Sequence, residues 1–411
     1  MSNFEATDTR GNWTTSVQKE IQHAAITGKH LVEGKGSPRP FLNWDSLMFL
    51  PAQIKNAPLL GSEPVNTAVT IGPKAKKPVQ LQTPVMVGAM SFGAMSIEAK
   101  VAIARAVNAI GSMTNTGEGG MHPRERQEAK LLAAQYSTGR FGVSDEYLAQ
   151  ADMIEIKLGQ GAKPGLGGHL LKEKITDEIA AIRKISKDQN AISPARHPDI
   201  NSPKDLADTI KMLKEKGNGV PVAVKIAGGH VEEDLDVLFS LGELPDALII
   251  DGAEGGTGAA PVFARDHVAL PLFYFLPRVV QVFAKKKLKG KVTLIATGGL
   301  RGAADIAKVL ALGADAVQIC SSVQMAMGCS MCRQCQVGKC PLGIATQDES
   351  LRAKANIDEL AGKVINFLKV TTEDVANFCR ITGKNDIAKL SKDDLVALDE
   401  LSAKISGVKL A

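Results

Sequence analysis

The chain has 411 residues, 44% of them hydrophobic, with a net charge of +5, long for an ordinary domain but suited to one α/β barrel with extensions. Three tyrosines and two tryptophans leave little aromatic surface for base stacking, and the basic runs KAKK (74–77) and KKKLKGK (285–291) read as solvated faces, which argues against a nucleic-acid binder. No apolar run approaches a membrane span and MSNFEATDTRGNW lacks a signal-peptide core, so a soluble, cytoplasmic protein is expected.

Residues 1–80 read as an irregular N-terminal extension, with a helical stretch around Ser16–Ala25 and a Gly/Pro-rich segment GKGSPRPFLNWD. An α/β alternation follows over 81–349. The predicted strands are 84–90, 112–117, 153–158, 191–194, 221–228, 247–252, 292–299 and 314–320, with helix-period segments such as SIEAKVAIARAVNAIG and SPKDLADTIKMLKEKG between them. Near-continuous apolar strands alternating with helices mean a parallel sheet buried on both faces. An open doubly wound sheet and a (β/α)8 barrel both fit that alternation. The barrel is favoured because the chemically suggestive residues fall just after strand ends. Residues 350–411 read as a C-terminal helical segment that packs on the barrel or on a partner.

Four of the six cysteines crowd into GCSMCRQCQVGKCP: Cys329, Cys332, Cys335 and Cys340, with Pro341 following. Gaps of two, two and four residues are too short for unstrained disulfides. Structural zinc favours two C-x-x-C pairs with a long spacer, whereas iron–sulfur clusters accept short consecutive spacings with a terminal proline. An iron–sulfur loop at 329–340 is the favoured reading; zinc and an inert loop are the alternatives.

Glycine-rich turns close the late strands: DGAEGGTGAAP (251–261), TGGLRG (297–302) and CSS (320–322). In barrels the loops after strands seven and eight often bind phosphate through backbone N–H groups, which makes Gly298, Gly299, Ser321 and Ser322 candidates against the plainer reading of ordinary turn glycines. Neither a strand–GxGxxG–helix unit nor a Walker A run is present. Lys157 and Lys225 lie on apolar strands, where a lysine is costly to bury unless it meets an anion or an electron-rich acceptor. Lys225 fits the anionic edge of a reduced flavin, and Lys157 with Arg183 fits a substrate carboxylate. On the loop MTNTGEGGMHP, Glu118 either positions an amine or stabilises the loop, and Asn115 and Thr116 accompany it. The pair Arg196–His197 is equally divided between site and scaffold.

Together these segments resemble the FMN-binding synthase domain of glutamate synthase. GAMSFGAMSIEAK, NTGEGGMHP, IEIKLGQGAKPGLGGHLL, SPARHPDI, VKIAGGH, DGAEGGTGAAP, GGLRGAADIAKVLALGAD and MGCSMCRQCQVGKCPLGIATQD carry the resemblance in family order. It implies a (β/α)8 barrel with FMN, an iron–sulfur cluster after the last strand, and 2-oxoglutarate as substrate. It also implies three cluster ligands, Cys329, Cys335 and Cys340 in a C-x5-C-x4-C spacing; Cys332 is an addition that opens a choice between 3Fe-4S and 4Fe-4S. Lys225 matches the flavin-contacting lysine, and Lys157 and Arg183 the substrate ligands. Glu118 matches a glutamate at the ammonia entry, and His169 stands where a glutamine is usual. Ser91, Asp251, Gly255 and Gly256 join the late-loop residues in the implied cofactor shell.

No glutaminase-like, ferredoxin-like or β-helix segment is found, so a stand-alone archaeal-type subunit is expected. Its reaction would be reductive amination through 2-iminoglutarate. Ammonia would come from a glutaminase-like subunit, and electrons from ferredoxin or an NAD(P)H-oxidising subunit, in a hetero-oligomer. The leader and the tail LKVTTEDVANFCRITGKNDIAKLSKDDLVALD also resemble the synthase-like subunit of N-methylglutamate synthase, which uses methylamine but tends to lose the cysteine loop. A non-catalytic electron-relay subunit is the rival from another class.

Overall fold

Eight short, mostly aliphatic runs, buried along almost all their length, form one parallel sheet in the computed structural model, which describes residues 13–411. In chain order they are β1 (Val85–Val87), β2 (Thr114–Asn115), β3 (Leu132–Tyr136), β4 (Met153–Lys157), β5 (Val222–Ala227), β6 (Ala247–Asp251), β7 (Thr293–Thr297) and β8 (Ala316–Ile319). Each neighbours the next, and β8 pairs with β1 through Val317 opposite Val85. The Val87 N–H donates to the Met113 carbonyl at 3.0 Å, and the Ser112 hydroxyl donates to Val85 O at 2.5 Å. These two bonds tie β1 to the start of β2, so the sheet closes into the expected (β/α)8 barrel.

The strand count is as predicted, but one member differs. Residues 191–194 are not in the barrel: Ala191–Ile192 pairs antiparallel with His169–Leu170 in a small ribbon above β4. The third strand is LAAQY, which sequence reasoning passed over because Ala-Ala-Gln after a charged helix-like run carries no β-branched signal. All five of its residues are nevertheless buried, and burial between two parallel neighbours overrides propensity.

The lower end of the barrel is stoppered by a hairpin of Val69–Ile71 and Val79–Leu81. Ile71, Val79 and Leu81 pack with Met86, Met113 and Met153 in a core inside the strands. A second, larger core lies between the strands and the helices. Helices start where expected on serine caps: Ser96 accepts from the Ala99 N–H and Ser202 from the Asp205 N–H.

The tail packs against the barrel. Helix Ile357–Ile381 lies against Ile97–Ala109 and Ala303–Ala311, closing the helical ring between the first and seventh connections. Leu395–Ala397 then pairs antiparallel with Leu47–Phe49 of the leader, and Phe49 stacks on Phe378 with ring centroids 4.7 Å apart. The predicted leader helix is present at Thr15–Thr27 and buries none of its residues. Residues 1–12, including most of the run read as lacking a signal peptide, lie outside the described residues. Among the described residues no helix is long and apolar enough to cross a membrane.

Candidate active site

At the C-terminal ends of the strands the barrel opens into a cavity of about 450 Å³. Its floor is a polar layer on β2–β6. Glu155, fully buried on β4, accepts from Asn115 Nδ2 at 2.7 Å and Gln135 Nε2 at 2.7 Å, and lies 3.3 Å from Lys225 Nζ. Lys225 is beside Lys157 in strand register and 3.9 Å from Asp251 Oδ2. Burial opposes its charge, but Glu155 and Asp251 outweigh burial and raise the ammonium above the usual lysine range. Asp251 in turn is pushed up by burial against the pull of Lys225.

The rim above is cationic. Lys157 Nζ lies 3.0 Å from Glu118 Oε2, and the Ser193 hydroxyl donates to the other carboxylate oxygen. Burial raises the Glu118 carboxyl, but Lys157, Ser193 and Ser137 outweigh it and hold it down to about 2. Arg183, at the end of helix Asp177–Arg183, donates to Phe92 O at 2.7 Å and reaches the Ser91 hydroxyl at 3.3 Å. Its Nε is buried without a partner, and burial lowers the guanidinium to about 10. Gly119 makes room for it, since a Cβ there would lie 2.8 Å from the guanidinium. His169 faces the mouth, exposed, with Nδ1 3.3 Å from Lys163 Nζ. Lys163 is buried and lowered to about 8, by burial first and Lys157 second. His197 has a scaffold contact: Nε2–H donates to the Lys157 carbonyl at 2.8 Å, while Arg196 is exposed.

On the opposite side run the late loops. Gly255, Gly256, Gly298, Gly299 and Ser321 line the cavity. Gly298 takes φ 115°, and a Cβ on it would come within 2.6 Å of the Gly252 nitrogen. Only glycine lets these loops stack closely there and keep their backbone bare along the cavity. Ser322 is not part of the lining; its hydroxyl donates to Leu300 O at 3.1 Å. Gln318 on β8 does line the cavity, and its Nε2 is buried with no partner.

The four clustered cysteines line a second, much smaller cavity that shares Lys35, Gln324, Cys335 and Ala345 with the first. Met331 and Arg333 take φ of 61° and 58° on either side of Cys332, which is exposed. Burial pushes the Cys335 thiol up, Lys35 draws it down, and the other three thiols add to the rise. Among the described residues no three Cys, His, Asp or Glu side chains gather tightly enough for one metal ion. All six cysteines are unpaired.

Sequence reasoning missed Lys35, Gln135, Lys163, Gln318, Cys320 and Gln324. For Lys35 the signal was present: a lysine between two glycines in GKG, a spacing that lets the backbone turn sharply. Cys320, just after β8, lines the main cavity with Cys335, its thiol raised to about 11 by burial.

Comparison with known proteins agrees with this architecture. Residues 45–385 match the family model described as a conserved region in glutamate synthase. An archaeal glutamate synthase [NADPH] of Methanocaldococcus jannaschii is 37% identical, over 97% of this chain and 84% of that protein. A glutamate synthase large subunit-like protein of Rhizobium meliloti is also 37% identical, over 95% and 92%. Among solved structures, flavocytochrome b2 aligns with a TM-score of 0.55 at 16% identity, over 88% of this chain and 78% of that one. A lactate oxidase of Pediococcus acidilactici aligns with a TM-score of 0.53 at 15% identity, over 87% and 84%. At those identities the structural likeness speaks for the barrel fold alone. With its barrel, its site at the strand ends and these relatives, the chain is an oxidoreductase that belongs to the glutamate synthase family.

Proposed function

We propose that the chain reductively aminates 2-oxoglutarate to L-glutamate through 2-iminoglutarate. FMN would occupy the barrel cavity and an iron–sulfur cluster the thiol cavity. The observation that carries this reading is the charge of the rim. Lys157, Lys163 and Arg183 face the cavity with Glu118 as their one carboxylate, leaving two positive charges for a substrate with two carboxylates.

The residues also fit the two cofactors. The unpartnered Gln318 amide and the Lys225 ammonium suit the carbonyl-rich edge of a flavin, with the bare glycine loops and Ser321 toward its phosphate. Four thiols around one void, too spread for a single ion, suit an iron–sulfur cluster better than zinc. When bound, the flavin supplies the hydride and the cluster carries single electrons.

The protein's own part is placement. Lys157, Lys163 and Arg183 would hold the carboxylates and orient C2 of the oxo acid. Glu118, ionised at any physiological pH, would steer ammonia rather than donate a proton. Ammonia would come from a glutaminase-like subunit. Electrons would come from ferredoxin or an NAD(P)H-oxidising subunit; the Methanocaldococcus jannaschii relative is an archaeal glutamate synthase [NADPH]. The unpaired cysteines favour a reducing cytoplasm.

The test is direct. The purified chain should release FMN on denaturation, contain iron and sulfide, and with a chemical reductant form ¹⁵N-glutamate from 2-oxoglutarate and ¹⁵N-ammonium. Faster turnover with methylamine would instead assign N-methylglutamate synthesis. A loaded chain with no turnover on either amine would leave only an electron-relay role.

A further inference from the structure

One buried cation of the cavity walls, Lys35, has no part in the roles above. Lys35 belongs to the leader, is 4% exposed, and takes φ 73°, a conformation costly for a side-chain-bearing residue. Its own N–H donates to Thr257 O at 2.7 Å, and the following Gly36 lies so close to the Glu254 carbonyl that a Cβ would come within 2.6 Å of it. The segment is thereby pinned across the DGAEGGTGAAP loop. The Lys35 ammonium donates to Gln324 Oε1, and the Gln324 amide nitrogen lies 3.3 and 3.2 Å from the sulfurs of Met90 and Met95. Among the described residues no carboxylate lies within ion-pair distance of Lys35. A buried ammonium with one neutral partner calls for an anion. Lys35 lines both cavities, in the wall they share, and Arg333 of the cysteine loop donates to the adjoining Gly34 carbonyl at 3.0 Å.

We propose that Lys35 is a positioning residue for electron passage, its ammonium in the shared wall stabilising the reduced, more negative state of the thiolate-bound cluster. The proposal rests on the reading that the thiols hold an iron–sulfur cluster and the barrel a flavin. Each electron accepted from an external one-electron carrier adds one negative charge, and a fixed cation in a low-dielectric wall offsets it. Two such passages, with a proton from water, account for the electron pair of one hydride.

The experiment is an anaerobic redox titration of the whole chain, following the iron centre by electron paramagnetic resonance and the flavin by absorbance. Lys35→Met should make the iron centre harder to reduce by about tenfold in its one-electron equilibrium, equal to about 59 mV. Lys35→Arg should restore the wild-type value, which a merely space-filling role would not require. Gln324→Glu should shift the centre in the same direction with the lysine still present, because the new carboxylate cancels its charge. Unchanged iron potential in a Lys35→Met protein that keeps iron and flavin would overturn the proposal, as would a shift confined to the flavin. If Lys35→Met loses its iron, an unchanged potential in Gln324→Glu overturns it equally. A wild-type chain free of iron overturns the underlying reading instead, and iron analysis separates that failure from this one.

Discussion

At Lys225 the barrel wall accepts a full positive charge because Glu155 meets it from the neighbouring strand at 3.3 Å. Lys225→Met would leave Glu155 buried with amide donors only. Breaking such a pair costs about 3–5 kcal/mol, so thermal unfolding should shift down, and adding Glu155→Gln should recover most of the loss. Flavin reduction should stay impaired in the double variant by about 30–150-fold, the equivalent of about 2–3 kcal/mol. A normal flavin potential there would remove Lys225 from the cofactor's surroundings. Lys163 gives a pH signature. Its ammonium is lowered to about 8, so it loses its charge as pH rises through that value. The apparent KM for 2-oxoglutarate should therefore rise above about pH 8, by up to about tenfold per pH unit for one linked proton, and Lys163→Arg should flatten the rise. Glu118 has the opposite sign. Its depressed carboxyl contributes stability that is fully present above the ordinary value of 4.5 and lost as pH falls toward about 2. Glu118→Gln should be less stable at neutral pH and show a shallower acid limb in an unfolding titration. Lys157, Lys225 and Glu118 were legible in the sequence because a charge on an apolar strand or glycine loop demands an explanation. Lys163 was not, since a lysine in GAKPG looks like any exposed turn residue until the fold buries it.

At the scale of elements, the cysteine loop is where spacing was most informative and local geometry least. Four thiols within twelve residues had to converge, and they line one small cavity. Which of them faces outward depends on two left-handed residues, Met331 and Arg333, and no spacing rule foretells those. Cys332 is the exposed member. Cys332→Ser is expected to leave the fold intact and convert a four-iron cluster to three irons, as read by iron content and paramagnetic resonance. An identical three-iron signal in both proteins would make Cys332 a bystander. The strand assignments follow the same logic. Six of the eight barrel strands were readable as apolar runs, and 112–117 as a plausible strand that completes the alternation. LAAQY was not, because its membership rests on burial by β2 and β4 rather than on its own residues, and 191–194 was misread because a short apolar run does not say what it pairs with.

For the whole molecule, the closure of the ring by helix Ile357–Ile381 binds the tail to the barrel. That helix buries Leu360, Val364, Leu368 and Val375 against the first and seventh helices. A chain ended at residue 349 would lose this helix and expose the surfaces of Ile97–Ala109 and Ala303–Ala311 that it covers. It is expected to aggregate or to lose cooperative unfolding, even though every residue proposed for the site is retained; a soluble, cooperatively folding truncate would contradict this. The leader–tail ribbon carries a further consequence, for biosynthesis. Leu47–Phe49 pairs with Leu395–Ala397, so a strand made early waits for a partner made only after the whole barrel. At about 5–20 residues per second that wait is roughly 20–70 s. During it, apolar Leu47 and Phe49 must be sheltered by a chaperone or by nascent neighbours, and native closure of this ribbon comes after synthesis of every barrel strand.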